Sequence, residues 1–235
     1  MVDADRYEVI SFDCYGTLID WESGIISGLR PVLANRGVEA TDEEILELHA
    51  QTEHELQSSS KPGNYVKYRD VLGQEVREAG KRWGFEPDPS EVGALADSLR
   101  HWQPFPDTVD ALRALKKRYK LAIISNVDDG LFALTACHLE VEFDWIVTAE
   151  QAGSYKPSTN NFEVALARMG VPRERLLHAA ESLFHDVVPA KELGISTVWV
   201  HRRAGKGGFG ATPPADARPD LEVPDLETLA SELGV

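Results

Sequence analysis

An α/β fold is predicted for this chain, with a parallel sheet as the core and a helical block inserted after the first strand. Three observations carry that expectation. From Trp102 onward, short apolar runs alternate with amphipathic segments. Between Trp21 and Leu99 the sequence offers amphipathic helical stretches and no convincing strand. The first apolar run, YEVISF at 7–12, stops in an aspartate and a glycine turn, Asp13-Cys14-Tyr15-Gly16-Thr17-Leu18.

Taken in order, residues 7–12 are β-branched and aromatic, and short enough for a strand buried on both faces. Helices are expected over 25–36, 42–57, 65–83 and 91–99. The prolines of Gln103-Pro104-Phe105-Pro106-Asp107 exclude helix, so this segment reads as the linker back into the core. Residues 108–119 carry Val109, Leu112 and Leu115 at helical spacing. A strand at 121–125, a helix at 131–139 and a strand at 145–148 come next. The series closes with a helix at 162–169, a strand at 176–180, a helix at 186–193 and a strand at 196–200. The stretch 203–219, rich in Gly, Pro and Ala, reads as a surface loop, and there is no internal repeat. The expected division is a discontinuous core of 1–18 and 103–235 around a helical insertion of 19–102. Right-handed crossovers would bring all the strand ends to one edge. That edge would gather Asp13, Ser125, Asn126, the loop before Lys156, and the segment from Glu181 to Asp186.

Composition narrows the partners. The chain has 235 residues, 43% hydrophobic and 27% charged, ordinary values for a globular protein of one large domain or a core plus an insertion. A net charge of −15 argues against nucleic acid or an anionic membrane as the partner. It also requires a local cationic pocket for any anionic substrate. Two cysteines, Cys14 and Cys137, cannot build a disulfide framework, and neither has metal-ligand spacing. No apolar run approaches the ~18 residues of a membrane span, and the start MVDADRYEV lacks a signal-peptide pattern, so a cytoplasmic protein is expected.

Asp13 is the leading candidate for chemistry. A strand ending in Asp-x-x-Gly-Thr carries a carboxylate to the carboxyl edge of the sheet, where open α/β folds bind ligands. Gly16 lets backbone approach a ligand, and the Thr17 hydroxyl can donate to it. The competing reading is a helix cap after a strand, which aspartate often is. Lys156 admits a similar pair of readings, a solvated lysine before Pro157 or a buried cation paired with a carboxylate. Ser125 and Asn126 could be caps after a strand. His178 reads as a satisfied core residue, His185 as a helix-start histidine at the surface, and Trp21, Trp83, Trp102, Trp145 and Trp199 as packing residues. Trp21 also stands where it could wall a pocket.

In order along almost the whole chain, these residues resemble the haloacid dehalogenase superfamily, hydrolases with an aspartate nucleophile. Asp13 with Gly16-Thr17 is similar to the first motif, Ser125-Asn126 to the second, and Lys156-Pro157 to the third. Glu181 and Asp186, ahead of Ala190-Lys191-Glu192-Leu193-Gly194, are similar to the acidic fourth. The resemblance implies a Rossmann-like parallel sheet core with an inserted helical cap domain. Tyr15 stands two residues after Asp13, where phosphatases of the superfamily usually carry a second aspartate as general acid. The D-x-Y-G-T-L setting resembles the 2-haloacid dehalogenases. A phenol of pKa ~10 is a poor substitute for that acid near neutrality, whereas a departing halide needs no proton.

The resemblance then implies hydrolytic dehalogenation of a short 2-haloacid through a covalent ester on Asp13, with no cofactor. Lys156 would hold and ionise Asp13. Ser125 and Thr17 would hold the substrate carboxylate or the ester oxygens, Asn126 would donate to the halide, and Asp186 would activate the hydrolytic water. Tyr15, Trp21 and Asn126 would contact a small anionic substrate. Relatives are often dimers, so a homodimer is admitted. Three features depart from the pattern. Ser58-Ser59-Ser60 falls where a cap arginine is expected, near Asn64-Tyr65-Val66, leaving Lys61 or Arg69 as substitutes or surface residues. Phe162 replaces a tyrosine, and Glu181 and Leu183 replace serine and asparagine. Glu181 with Asp186 and Asp13 resembles instead the acidic set with which phosphatases bind Mg²⁺, or Glu181 is a partner of Lys156. A Mg²⁺-dependent phosphatase is therefore the alternative. A binding protein without activity and a hydrolase of carbon–nitrogen or carbon–oxygen bonds are further readings.

Overall fold

The computed structural model describes residues 3–59, 65–204, 212 and 214–235. Six strands form one parallel sheet: β1 (Val9–Phe12), β2 (Lys120–Ser125), β3 (Trp145–Thr148), β4 (Leu176–Ala180), β5 (Ser196–Val200) and β6 (Leu221–Val223). Their order is β3-β2-β1-β4-β5-β6, with β1 at the centre between β2 and β4. All residues of β1 and β4 are buried, as expected for strands covered on both faces. Side chains alternate between those faces. Ile10, Phe12, Leu121, Ile123, Leu177 and Ala179 enter the larger core, while Val9, Ala122, Ile124 and Leu176 enter a second one.

Helices complete both layers. After β1 come α1 (Trp21–Asn35), α2 (Asp42–Ser59), α3 (Tyr68–Trp83), α4 (Pro89–Val92) and α5 (Ala94–Ser98). The rest of the chain supplies α6 (Thr108–Lys116), α7 (Asp129–Ala136), α8 (Ala149–Ala152), α9 (Asn160–Met169), α10 (Val188–Glu192) and α11 (Leu226–Glu232). Leu112 and Leu115 of α6 join Leu226 and Leu229 of α11 in the larger core, whereas Phe162 and Ala165 of α9 fill the second. Each fully buried leucine or phenylalanine of this kind contributes about 1.5–3 kcal/mol.

The first five helices pack on one another and over the strand ends. They are joined to the sheet by two neighbouring passes of chain. Asp20 N donates to Gln103 O at 2.9 Å and Phe105 N to Leu18 O at 3.0 Å, while Ile19 bridges Pro104. Asp20 also caps α1, its Oδ1 accepting from Ser23 N at 3.3 Å. No helix among the described residues is long and apolar enough to cross a membrane.

The main departures from the sequence expectation are local. The helix expected at 91–99 breaks at Gly93 into α4 and α5. The helix expected at 186–193 begins earlier, as a π-helical turn, Leu183–Val187, before α10. β6 and α11 lie beyond the last predicted strand and were not anticipated: β6 is three residues long, too short to show a period.

Candidate active site

The sheet order reverses direction at β1 and β4, the place where open α/β sheets open a crevice at their carboxyl ends. Asp13 follows β1 directly, its N–H donating to Ala179 O of β4 at 3.2 Å. The turn after it needs glycine twice over. Gly16 has φ +92°, and a Cβ there would lie 2.9 Å from Trp21 Nε1. Trp21, the first residue of α1, can therefore lie against the turn and wall the crevice.

Lys156 is 1% exposed and donates to three acceptors: Asp13 Oδ1 at 2.8 Å, Asp186 Oδ1 at 2.6 Å and Ile124 O at 2.9 Å. The other oxygen of Asp13 accepts from Thr17 Oγ1 at 3.0 Å, and Thr17 Oγ1 in turn accepts from Glu181 N at 2.9 Å. Asn126 grips the lysine loop by its backbone. Its Oδ1 accepts from Lys156 N at 2.7 Å, and its Nδ2 donates to Lys156 O at 3.1 Å and to Gln57 Oε1 at 3.3 Å. Asp186 Oδ1 also meets His178 Nε2 at 2.9 Å, and His178 Nδ1 meets Ser11 Oγ at 2.8 Å. Ser125 Oγ is buried beside these groups and has no hydrogen-bond partner among the described residues.

Electrostatics separates the two aspartates. Burial pushes the Asp13 carboxyl above the ordinary range and the charge of Asp186 adds to this, with Lys156 opposing. Asp186 meets the same burial, but Lys156 and His178 outweigh it and hold the carboxyl below its usual value. Burial opposes the charge on Lys156 too, and the two carboxylates reverse that, raising its pKa. The Tyr15 hydroxyl is pushed well above the usual phenol range, chiefly by burial, and it lies 2.5 Å from Thr135 Oγ1.

The profile of haloacid dehalogenase-like hydrolases matches residues 7–194. The chain belongs to that family. Among relatives of this hydrolase, (S)-2-haloacid dehalogenase H-109 of Pseudomonas putida is 29% identical over 93% of the chain and 96% of its own length. Glyceraldehyde 3-phosphate phosphatase of Methanothermobacter thermautotrophicus is 30% identical over 83% of the chain and 85% of its own length. A crystallised L-2-haloacid dehalogenase shares the fold with a TM-score of 0.83 at 24% identity, over 97% of this chain and 98% of that one. The sequence relatives put the hydrolase in the 2-haloacid dehalogenase-like branch.

In this haloacid dehalogenase-like hydrolase, Asp13, Tyr15, Trp21, Ser125, Asn126, Lys156, Glu181 and Asp186 all line one cleft of about 40 Å³, a space for a very small ligand. Thr17 is fully buried and holds an oxygen of Asp13 rather than facing the cleft. Both amide protons of Asn126 are engaged, so a halide there would have to displace Gln57. His185 is not a surface residue: it lines the cleft, and burial lowers its pKa to about 4. Glu181 is not among the three acceptors of Lys156. Arg69 pairs with Asp97 at 3.0 Å and is not among the residues lining the cleft. Ser60, Lys61 and Asn64 lie outside the described residues, as do the side chains of Ser58 and Ser59.

Among the described residues no three His, Cys, Asp or Glu side chains converge to hold a metal ion. Oδ1 of both Asp13 and Asp186 already accepts from Lys156.

Glu53, Tyr68 and His49 were not picked out in the sequence reading. Glu53 and Tyr68 line the cleft from α2 and α3. Behind them, buried His49 meets Glu75 Oε2 through Nδ1 at 2.8 Å and faces Glu53 with Nε2 at 3.7 Å. Burial disfavours the imidazolium, but Glu75 and Glu53 raise its pKa to about 9. His178, expected to be a satisfied core residue, is one: it is fully buried and both ring nitrogens are engaged, one of them with Asp186. The sequence shows it as a lone polar ring inside an otherwise apolar strand, eight residues before Asp186.

Proposed function

We propose that this hydrolase displaces halide from C2 of a short 2-haloacid-type substrate through an ester on Asp13. A carboxylate oxygen of Asp13 bonds to C2 as the carbon–halogen bond breaks, the electron pair leaving with halide. Water then attacks the ester carbonyl, restoring the Asp13 carboxylate and releasing the 2-hydroxy product. Overall one water is consumed, and one halide and one proton are released. Asp186, held ionised by Lys156 and His178, is the base for that water. Ser125 Oγ, with no partner among the described residues, donates to the substrate or ester oxygen.

One observation carries the reading. Asp13 Oδ1 sits 2.8 Å from Lys156 Nζ in a buried cleft, while the residue two positions on is a phenol engaged with Thr135. A candidate nucleophile is present and the position two residues after it carries a phenol in place of a leaving-group acid, which suits a halide better than an alkoxide. The relatives named as haloacid dehalogenases support the same chemistry. We further propose that the 19–102 insertion acts as a cap, since Trp21, Glu53 and Tyr68 close the cleft from above the strand ends.

Short 2-chloro acids and neutral 2-chloro analogues, assayed beside an aryl phosphate with and without Mg²⁺, test this. Metal-independent chloride release is expected. Metal-dependent phosphate release with no chloride would favour the phosphatase relative instead.

A further inference from the structure

Four acidic side chains among the described residues line the cleft. Asp13 and Asp186 form one side of it, Glu181 follows β4, and Glu53 projects from α2. Among the described residues Lys156 is the only lysine or arginine lining it. An ammonium has three protons, and those of Lys156 go to Asp13 at 2.8 Å, Asp186 at 2.6 Å and Ile124 O at 2.9 Å. His49 lies behind Glu53 and is directed at Glu75 and Glu53. Arg203 reaches Glu22 through Nη1 at 2.5 Å. In the same cleft, Ser125 is 1% exposed and its Oγ has no hydrogen-bond partner among the described residues, a donor ready for a ligand's acceptor.

These groups ask for one acceptor and for hydrogen-bond donors, not for a second anion. We propose that the cleft selects a short 2-halocarboxamide over the free 2-haloacid, with Glu53 and Glu181 as the specificity-determining residues. The amide carbonyl accepts from Ser125 Oγ, and the amide N–H groups donate to Glu53 and Glu181. Burial raises the pKa of both Glu53 and Glu181, and where they are ionised a substrate carboxylate beside them would meet like charge in a water-poor site, where such juxtaposition is costly. The bond changes are those of the dehalogenase reading, on which this inference rests. Asp13 oxygen bonds to C2 as halide departs with the electron pair, and water releases the 2-hydroxyamide with one proton.

The test is steady-state chloride release from 2-chloropropionamide and from 2-chloropropionate at about pH 8.5, well above the ordinary carboxylate range. Glu181 is ionised there, although burial and the charges of Asp13, Glu22 and Asp186, with Arg203 opposing, raise its pKa to about 7. The amide should be preferred in kcat/KM by at least about tenfold. Glu53→Gln and Glu181→Gln should each move that ratio toward the acid by about tenfold. A preference for the acid in the wild-type enzyme overturns the inference and leaves the dehalogenase reading intact. An unmoved ratio in both folded variants also overturns it. Chloride release from neither compound removes the inference together with the reading beneath it. The wild-type ratio decides the matter even if a variant fails to fold.

Discussion

His178 Nε2 lies 2.9 Å from Asp186 Oδ1, and Ser11 Oγ lies 2.8 Å from the opposite ring nitrogen. An ionised Asp186 only accepts, so Nε2 carries a proton and donates to it. The chain of hydrogen bonds runs from β1 through β4 to the acid that faces the cleft. His178→Ala should therefore free Asp186 to rotate and slow the water step more than the displacement. The expected result is a burst of about one chloride per enzyme followed by turnover reduced about 100-fold, the usual cost of misplacing a reacting group by about 1 Å. Rapid-quench chloride measurement checks it. A uniform loss with no burst would assign His178 to packing alone.

Thr17 supports two groups at once, donating to Asp13 Oδ2 at 3.0 Å and accepting from Glu181 N at 2.9 Å. Thr17→Val keeps the shape and removes both bonds. Leaving the Glu181 N–H without its acceptor should cost about 1–3 kcal/mol, read as a Tm lower by several degrees. Thr17→Ser should recover most of the loss. A Tm unchanged in the valine variant would mean the backbone finds another acceptor.

Lys156 neutralises two buried carboxylates, so its charge cannot be removed cheaply. Lys156→Met should destabilise the fold by about 3–5 kcal/mol and abolish turnover, because two unpaired acids remain in the interior. Lys156→Arg should not restore activity. A planar fork cannot reproduce three donations converging on a single nitrogen. Denaturant unfolding beside chloride assays separates the two losses.

How much of this was legible in the sequence depended on what carried each signal. The strands β1 to β5 were readable because strands buried on both faces appear as short apolar runs, whatever their neighbours. Gathering Asp13, Ser125, Lys156 and Asp186 required only that parallel strands end on one edge. Their mutual hydrogen bonds did not follow from that. The role of Thr17 depends on which way a turn directs one hydroxyl, which spacing alone leaves open. Glu53 was hidden for another reason. A glutamate in an amphipathic helix reads as solvent-facing until the packing of α1, α2 and α3 turns that face inward. The break at Gly93 was similarly local: the period of apolar residues continues across it while the helix does not.

His49 should make stability pH-dependent in one window. Its folded pKa of about 9 exceeds the ordinary histidine value of 6.5, so the native state binds more protons between those limits. The stabilisation is complete below about pH 6.5 and is lost as pH rises through about 9, amounting to about 3 kcal/mol. Tm profiles of the wild type and of His49→Gln check this. The variant should show the smaller fall across that interval, and parallel profiles would refute it.

The account stands on Asp13 taking the substrate covalently, and a single turnover in heavy-oxygen water tests that most directly. With enzyme in excess over substrate, peptide mass spectrometry should find one heavy oxygen on Asp13, and the hydroxy product should carry ordinary oxygen. Heavy oxygen in the product with none on Asp13 would mean that water attacks carbon directly, contradicting the ester mechanism.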